Sequence, residues 1–74
     1  MNIKKLKDLR EDRDLFQEDI AKILMITRQQ YGLYETGKRT IPIDLLDKLA
    51  DFYNTSVDYI IGRTIIKEPY PRKK

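Results

Sequence analysis

The stretch QEDIAKILMITRQQYGLY, residues 17–34, decides the fold of this chain. It holds two segments with apolar residues at helical spacing, separated by a short turn. Two helices joined by a turn of about three residues cross at a steep angle, so the wedge between them must be filled by apolar side chains. A small residue is needed where the helices touch, and Ala21 takes that place. The expected wedge residues are Ile20, Leu24, Ile26, Tyr31 and Tyr34.

Helices are also predicted on both sides of this pair. Upstream, residues 2–13 repeat apolar positions at helical spacing. Downstream, residues 43–53 carry the strongest amphipathic pattern of the chain, and a last short helix follows Ser56. The expected boundary residues are Thr27 and Ser56 as caps, Pro42 in a first helical turn, and Gly37 and Gly62 as helix stops. The sequence therefore predicts an all-α fold of five short helices.

Composition limits the functions that are open to the chain. It has 74 residues, which corresponds to one small domain, a net charge of +3, and neither cysteine nor histidine. Thiolate metal sites and the commonest general base are thereby excluded, so we expect no enzyme, no metal and no cofactor. Asp44, Asp47 and Asp51 share one helix face and are interpreted as solvated. No apolar run approaches the roughly 18 residues of a membrane span, so we expect a cytoplasmic protein.

Basic residues gather in the last part of the chain. Residues 63–74 hold five lysines and arginines against the single acidic residue Glu68. Within this tail, Ile65 and Ile66 are β-prone and could form an edge strand. A disordered basic end and an arm that enters the minor groove are the other interpretations.

A longer set of positions identifies a family. The sequence resembles the DNA-binding domain of the phage repressor and Cro family, also called the XRE-like family, over residues 3–62. The resemblance implies a five-helix lambda-repressor-like domain over residues 1–62 and a short basic tail over residues 63–74. The matching residues are Leu9-Arg10, Gln17, Ile20-Ala21, Leu24, Ile26-Thr27, Tyr31, Tyr34-Glu35, Gly37-Lys38-Arg39, Pro42, Leu45, Leu49-Ala50 and residues 57–62.

The resemblance also implies which residues meet DNA. The second helix of the motif enters the major groove, where arginine can donate a fork to guanine and glutamine can pair with adenine. The expected base contacts are Arg28, Gln29, Gln30, Gly32 and Leu33. The expected phosphate contacts are Gln17, Thr27, Thr36, Lys38 and Arg39. Arg10 and Glu35 match a pair that clamps the first helix to the third.

Two positions depart from the family pattern. Met25 stands in the turn where glycine is usual, and a left-handed backbone there would cost roughly 1 kcal/mol. Phe16 precedes Gln17 where serine or threonine is usual, and its ring cannot accept from the helix N–H groups. Both substitutions lower the expected stability, and neither is expected on the reading face.

Two classes of function follow from these observations. The first is a sequence-specific homodimeric regulator, a repressor, that reads a pseudo-palindromic operator in double-stranded DNA. Its dimer contact would come from the last helix, around Tyr59 and Ile61, or from residues 64–67. The alternative is an antitoxin-type or other protein-interaction module whose main role is to bind a partner protein, with Ile65 and Ile66 as the contact.

Overall fold

The computed structural model describes residues 3–69, which form five α-helices and no β-strand. The helices are α1 (Lys4–Asp12), α2 (Gln17–Leu24), α3 (Arg28–Glu35), α4 (Ile43–Phe52) and α5 (Val57–Ile60). The predicted all-α class is confirmed, and the observed boundaries lie within two residues of the predicted ones. In the described range, no helix combines the length and the apolar character needed to cross a membrane.

Two hydroxyl side chains start helices as predicted. Thr27 Oγ1 accepts a hydrogen bond from the Gln30 N–H at 3.1 Å, which caps α3. Ser56 Oγ accepts from the Tyr59 N–H at 3.0 Å, which caps α5. Each hydroxyl satisfies an N–H group that has no partner inside its helix.

Glycine and proline set the boundaries around α3 and α4. Gly37 follows the end of α3 with a φ of 79°, in the left-handed conformation that glycine adopts without strain. Pro42 was expected inside the first turn of α4, but it is the N-cap residue and Ile43 begins the helix. Proline is tolerated at either position because its missing N–H would have no helical partner there.

At the start of α2 the N-cap residue donates a hydrogen bond to a side chain of the helix and does not accept one through its own side chain. Phe16 occupies the N-cap with an extended backbone, and its ring makes no hydrogen bond. The Phe16 N–H instead donates to Asp19 Oδ2 at 2.8 Å. This is the reciprocal half of a capping box, and it fixes the entry into α2 without supplying a side-chain acceptor to the first turn of the helix.

One hydrophobic core holds the helices together. α2 packs on α3, α1 lies against α3 and α5, and α4 lies against α2 and α5. All of the expected wedge residues are buried except Ile26, which is half-buried at the edge of the core. The buried apolar residues are Leu6, Leu9, Ile20, Ala21, Leu24, Tyr31, Tyr34, Ile41, Leu46, Leu49, Ala50, Tyr53 and Ile60.

The described part of the tail folds back on the helices. The hydroxyl of Thr55, a buried residue, donates to the Lys67 carbonyl. Residues 64–67 pair with no strand in the described part of the chain, so the edge-strand interpretation is not realised there. Ile65 and Ile66 remain exposed. Residues 70–74, and with them three of the basic residues of the tail, lie outside the described residues.

The turn between α2 and α3 depends on a left-handed residue. Met25 has a φ of 59° and a ψ of 42°, so it adopts the left-handed conformation whose cost was considered from the sequence. Its N–H donates to the Lys22 carbonyl at 3.2 Å, and the next N–H, of Ile26, donates to the Ala21 carbonyl at 3.0 Å. The side chain of Met25 is 86% exposed and gains little from packing. The turn therefore imposes this conformation on a residue that has no packing reason to adopt it.

We expect Met25→Gly to raise the free energy of unfolding by about 0.5–1 kcal/mol, because the relief of left-handed strain exceeds the added flexibility of the unfolded chain. Asn54, with a φ of 54°, is a matched control, since asparagine tolerates this conformation better than methionine. Asn54→Gly should therefore gain less. Urea denaturation of both variants measures the difference, and a loss of stability in Met25→Gly would contradict the strain at this turn.

Candidate nucleic-acid interface

The first turn of α3 presents two unpaired polar side chains. Arg28 and Gln29 are exposed, and neither has a hydrogen-bond or ion-pair partner within residues 3–69. Arginine offers a planar fork of donors, and glutamine offers a donor and an acceptor side by side. This turn can therefore bind a flat ligand edge that carries its own donors and acceptors.

Gln30 is engaged inside the helix. Its Oε1 accepts from the Thr27 N–H at 3.0 Å and from the Thr27 hydroxyl at 3.3 Å. Together with the bond from the Gln30 N–H to Thr27 Oγ1, this forms a complete capping box. Threonine followed three residues later by glutamine is the sequence signal for such a box. Bidentate pairing with adenine needs the same carboxamide oxygen, so Gln30 has to leave the box to read a base.

The remaining expected base contacts lie deeper. Gly32 and Leu33 are both half-buried on α3. A Cβ at Gly32 would lie 3.4 Å from Gln17 Oε1, an ordinary contact with the end of a flexible side chain, so the packing of α2 on α3 does not itself require glycine at this position. Gln17 Nε2 in turn donates to Glu35 Oε1 at 3.4 Å. The Gln17 side chain thus links α2 to the end of α3. A contact from Gln17 to a phosphate would use this same side chain.

The expected phosphate contacts beyond α3 lie on one exposed segment. Lys38 and Arg39 are exposed, and the Arg39 N–H donates to the Leu33 carbonyl at 3.2 Å, which ties the segment to the helix. The Thr36 hydroxyl donates to the Gly32 carbonyl at 2.8 Å. The hydroxyl oxygen of Thr36 keeps lone pairs but no second proton, so a phosphate would have to replace its bond to the helix.

A bidentate ion pair joins α1 to the end of α3. Arg10 Nε and Nη2 donate to the two carboxylate oxygens of Glu35 at 3.0 and 2.8 Å. Arg10 Nη1 also donates to the Leu15 carbonyl at 2.8 Å. The side chains of Arg10 and Glu35 are only 11% and 3% exposed, respectively. The guanidinium therefore holds the end of α1, the loop before α2 and the end of α3 in one arrangement.

The pair sets the charge state of the carboxyl group. Burial by itself would raise the pKa of Glu35, but hydrogen bonds from Arg10 and Gln17 outweigh it and hold the pKa below its usual value of 4.5. Glu35 stays ionised at neutral pH. The stability that the pair contributes is present above about pH 4.5 and is lost as the pH falls through the lowered pKa.

Two tyrosine hydroxyls are buried in the described part of the core without a hydrogen bond of normal geometry, those of Tyr31 and Tyr53. Burial raises the pKa of both, to about 12 for Tyr53. The Tyr31 hydroxyl lies close enough to Glu35 for its pKa to respond to that carboxylate. Both rings serve the core, and neither is available to stack on a base.

Two further contacts were not expected from the sequence, and only the first of them lies at this surface. Phe16 is exposed beside Arg28, in a cleft that both residues line. Arg13 places its guanidinium 5.4 Å from the centre of the Phe52 ring and 5.5 Å from that of Tyr53, which fastens α1 to the end of α4. No local sequence pattern marks either contact, because both depend on residues that are distant in sequence.

Comparison with known proteins is consistent with this geometry. A family model described as helix-turn-helix matches residues 6–60. The chain is 36% identical over 74 residues to an HTH-type transcriptional regulator of Bacillus subtilis, YobD, covering 100% of this chain and 66% of that protein. It is 33% identical over 58 residues to the cryptic phage CTXphi transcriptional repressor RstR of Vibrio cholerae, covering 78% and 52%. It is 32% identical over 66 residues to the antitoxin PezA of Streptococcus pneumoniae, covering 89% and 42%.

A solved structure shares the fold. A transcriptional regulator from Listeria innocua superimposes with a TM-score of 0.74 at 23% identity, covering 93% of this chain and 58% of that one. The chain thus spans roughly half to two thirds of the length of these regulators and repressors. Their names describe regulators of transcription and no enzyme.

We expect Arg10→Met to lower the free energy of unfolding by about 3 kcal/mol, because it leaves a buried carboxylate without its partner. It should also reverse the pH dependence. Wild-type stability falls as Glu35 becomes protonated, whereas in Arg10→Met burial raises the pKa of Glu35 and stability rises as the pH falls. Urea denaturation between about pH 3 and 7 measures both effects, because the wild-type loss lies below about pH 4.5. Lys7→Met, an exposed position on the same helix, is the control and should keep the wild-type slope.

Two neighbouring glutamines should differ in their effect on stability. Gln30→Ala removes half of a capping box and should cost about 0.5–1 kcal/mol of unfolding free energy. Gln29→Ala removes an exposed side chain without partners in the described range and should change stability by less than about 0.5 kcal/mol. Thermal or urea unfolding of the two variants measures the difference. Equal losses of unfolding free energy would mean that the capping box does not stabilise the fold.

Proposed function

The chain belongs to the helix-turn-helix family, and on this premise we propose that it is a homodimeric transcriptional repressor that reads double-stranded DNA through the major groove. The observation that carries the proposal is that Arg28 and Gln29, on the exposed first turn of α3, have no hydrogen-bond or ion-pair partner within residues 3–69. An unpaired arginine and glutamine at the start of a helix match the donor and acceptor pattern of base edges. The regulators and the phage repressor among its relatives support the same class of function.

α3 is the reading helix in this proposal. Arg28 donates its fork to a guanine, and Gln29 pairs with an adenine. Leu33 has no hydrogen-bonding group in its side chain, so it reads a thymine methyl group. Gln30 and Gly32 flank these contacts, with Gln30 holding the helix start and Gly32 allowing the backbone to come close.

Phosphate contacts fix the position of the helix. Lys38 and Arg39 supply charge, and Thr36 lies at the helix end nearest to them. Thr27 and Gln17 lie at the starts of α3 and α2, where helix N–H groups favour an anion. These contacts are independent of sequence and set the register of the reading residues.

A homodimer accounts for the affinity that a repressor needs. A single module of this size covers few base pairs, and a second copy doubles the contact surface. Two copies related by a two-fold axis read a pseudo-palindrome with half-sites about 34–36 Å apart. We assign the contact to the half-buried Tyr59 and Ile61, or to the segment that carries the exposed Ile65 and Ile66. A regulator of this kind acts in the bacterial cytoplasm, where its operator lies.

A second function is favoured by one comparison. Similarity to an antitoxin suggests a chain that binds a partner protein as well as DNA. Ile65 is 94% exposed, and it lies with Ile66 on the folded-back tail. In this alternative these two side chains hold the partner protein, and a change at Arg28 leaves that interaction unaffected.

Selection of bound duplexes from a random pool at physiological salt tests the proposal. We expect an inverted repeat to be recovered by the wild type and not by the Arg28→Ala, Gln29→Ala double variant. Enrichment of the same sequences by both proteins would reject base reading by α3. No enrichment by the wild type would reject sequence-specific DNA binding and favour the partner-binding alternative.

Single variants separate the two kinds of contact on the recovered operator. Arg28→Ala should weaken binding by about 1–3 kcal/mol and relax specificity at one base pair. Lys38→Ala should weaken binding to all sequences alike and reduce the slope of log K against log salt by about one. Titrations at several salt concentrations measure both quantities. Identical behaviour of the two variants across sequences would contradict the assigned roles.

A further inference from the structure

Phe16 is an exposed aromatic residue at the edge of α3. Its side chain is 75% exposed, and it occupies the N-cap of α2, where its ring makes no hydrogen bond. Serine at the same place would cap the helix and would expose no ring, so the stability of the fold does not explain a phenylalanine. Single exposed apolar residues are common on protein surfaces, so the surroundings of the ring must decide its role.

Two clefts flank the ring, and they differ in charge. The first, of about 360 Å³, is lined by Arg10, Phe16, Gln17, Glu18 and Arg28. The second, of about 350 Å³, is lined by Arg10, Glu11, Asp14, Leu15 and Phe16. The carboxylates of Glu11 and Asp14 repel a polyanion from the second cleft. The first cleft contains Arg28, so this side of the ring is continuous with the proposed reading surface.

The chemistry of the first cleft indicates which part of DNA it fits. Arg10 is already paired with Glu35, and Arg28 and Glu18 bring one charge of each sign. The side chains of the cleft therefore carry little net charge, and the phosphate contact proposed for Gln17 depends on the N–H groups at the start of α2 rather than on a net positive charge. An apolar ring set among balanced charges suits the uncharged part of the backbone, which is the deoxyribose.

We propose that Phe16 packs against a deoxyribose beside the base pair that Arg28 reads, and that it is a positioning residue for α3. The inference rests on the proposed function, because it needs DNA on this face. Phe16 lies outside the base-reading residues, so its contact is with the backbone and is independent of sequence.

Phe16→Ser tests the inference because its two effects have opposite signs. The serine hydroxyl supplies the missing acceptor at the start of α2, so the urea midpoint should rise. Loss of the ring should weaken binding to the operator by about five- to tenfold. The loss should be the same for operator and non-operator duplexes, with an unchanged salt slope, because no phosphate contact is removed. Phe16→Leu keeps an apolar side chain and should recover part of the affinity.

Met25→Gly is the matched control. It removes another strongly exposed apolar side chain from the same pair of helices, at a position outside the clefts that flank Phe16. It should raise the urea midpoint and leave DNA affinity unchanged. A general effect of stability or of surface hydrophobicity on binding would appear in both variants, and that result would overturn the inference.

The remaining outcomes separate this inference from the proposed function. Wild-type affinity in Phe16→Ser, alongside lost binding in the Arg28→Ala, Gln29→Ala variant, overturns the role of Phe16 and leaves the proposed function in place. Absence of binding by the wild type to every duplex overturns both. A change in the oligomeric state of Phe16→Ser in sedimentation equilibrium assigns the ring to a protein interface and overturns the sugar contact.

Discussion

The arrangement of the helices depends on the bidentate bond between Arg10 and Glu35. α3 is only eight residues long, so it depends on contacts with the other helices both to form and to keep its orientation. Its last residue is bound to the guanidinium of α1 through both carboxylate oxygens, and Gln17 of α2 reaches the same carboxylate. The carboxylate of Glu35 thus bonds α3 to both α1 and α2. Because that charge is paired and buried, it contributes no repulsion on the exposed side of α3.

The first turn of a reading helix has to satisfy two demands with few side chains. Its N–H groups need acceptors, and its long polar side chains must stay free for a ligand. In α3 the two demands fall on different residues. Thr27 and Gln30 bond to each other across the turn. Arg28 and Gln29, which lie between them, have no partner in the described part of the chain. Because the capping box satisfies the start of the helix, the side chains of the two intervening residues are not needed for that purpose and stay available to a ligand.

Much of the fold could be predicted because its signals are local. Thr27, Ser56 and Gly37 act within one helical turn, and the wedge residues follow from helical spacing. The contact between Arg10 and Glu35 was expected only through family resemblance, since no pattern within either helix relates residues so far apart in sequence. The bond from Thr55 to Lys67 had no signal at all, because the position of the tail depends on the finished surface of the helices. The role of Gln30 was predicted incompletely for another reason: one side chain could serve either the helix or a base, and the isolated sequence pattern does not rank the two.

The departures at Met25 and Phe16 show how the supporting and reading roles of residues can be told apart. A domain of this size has a net stability of only a few kcal/mol, so a strained turn and a missing cap each remove an appreciable share of it. Loss of a supporting contact increases the unfolded fraction, which lowers the apparent affinity for every sequence by the same factor. Loss of a base contact lowers affinity at one base pair and leaves other sequences unaffected. A backbone contact such as the one proposed for Phe16 would also act on all sequences alike, but its loss would not lower the stability. Stability and specificity measured together therefore distinguish three roles that affinity alone would merge.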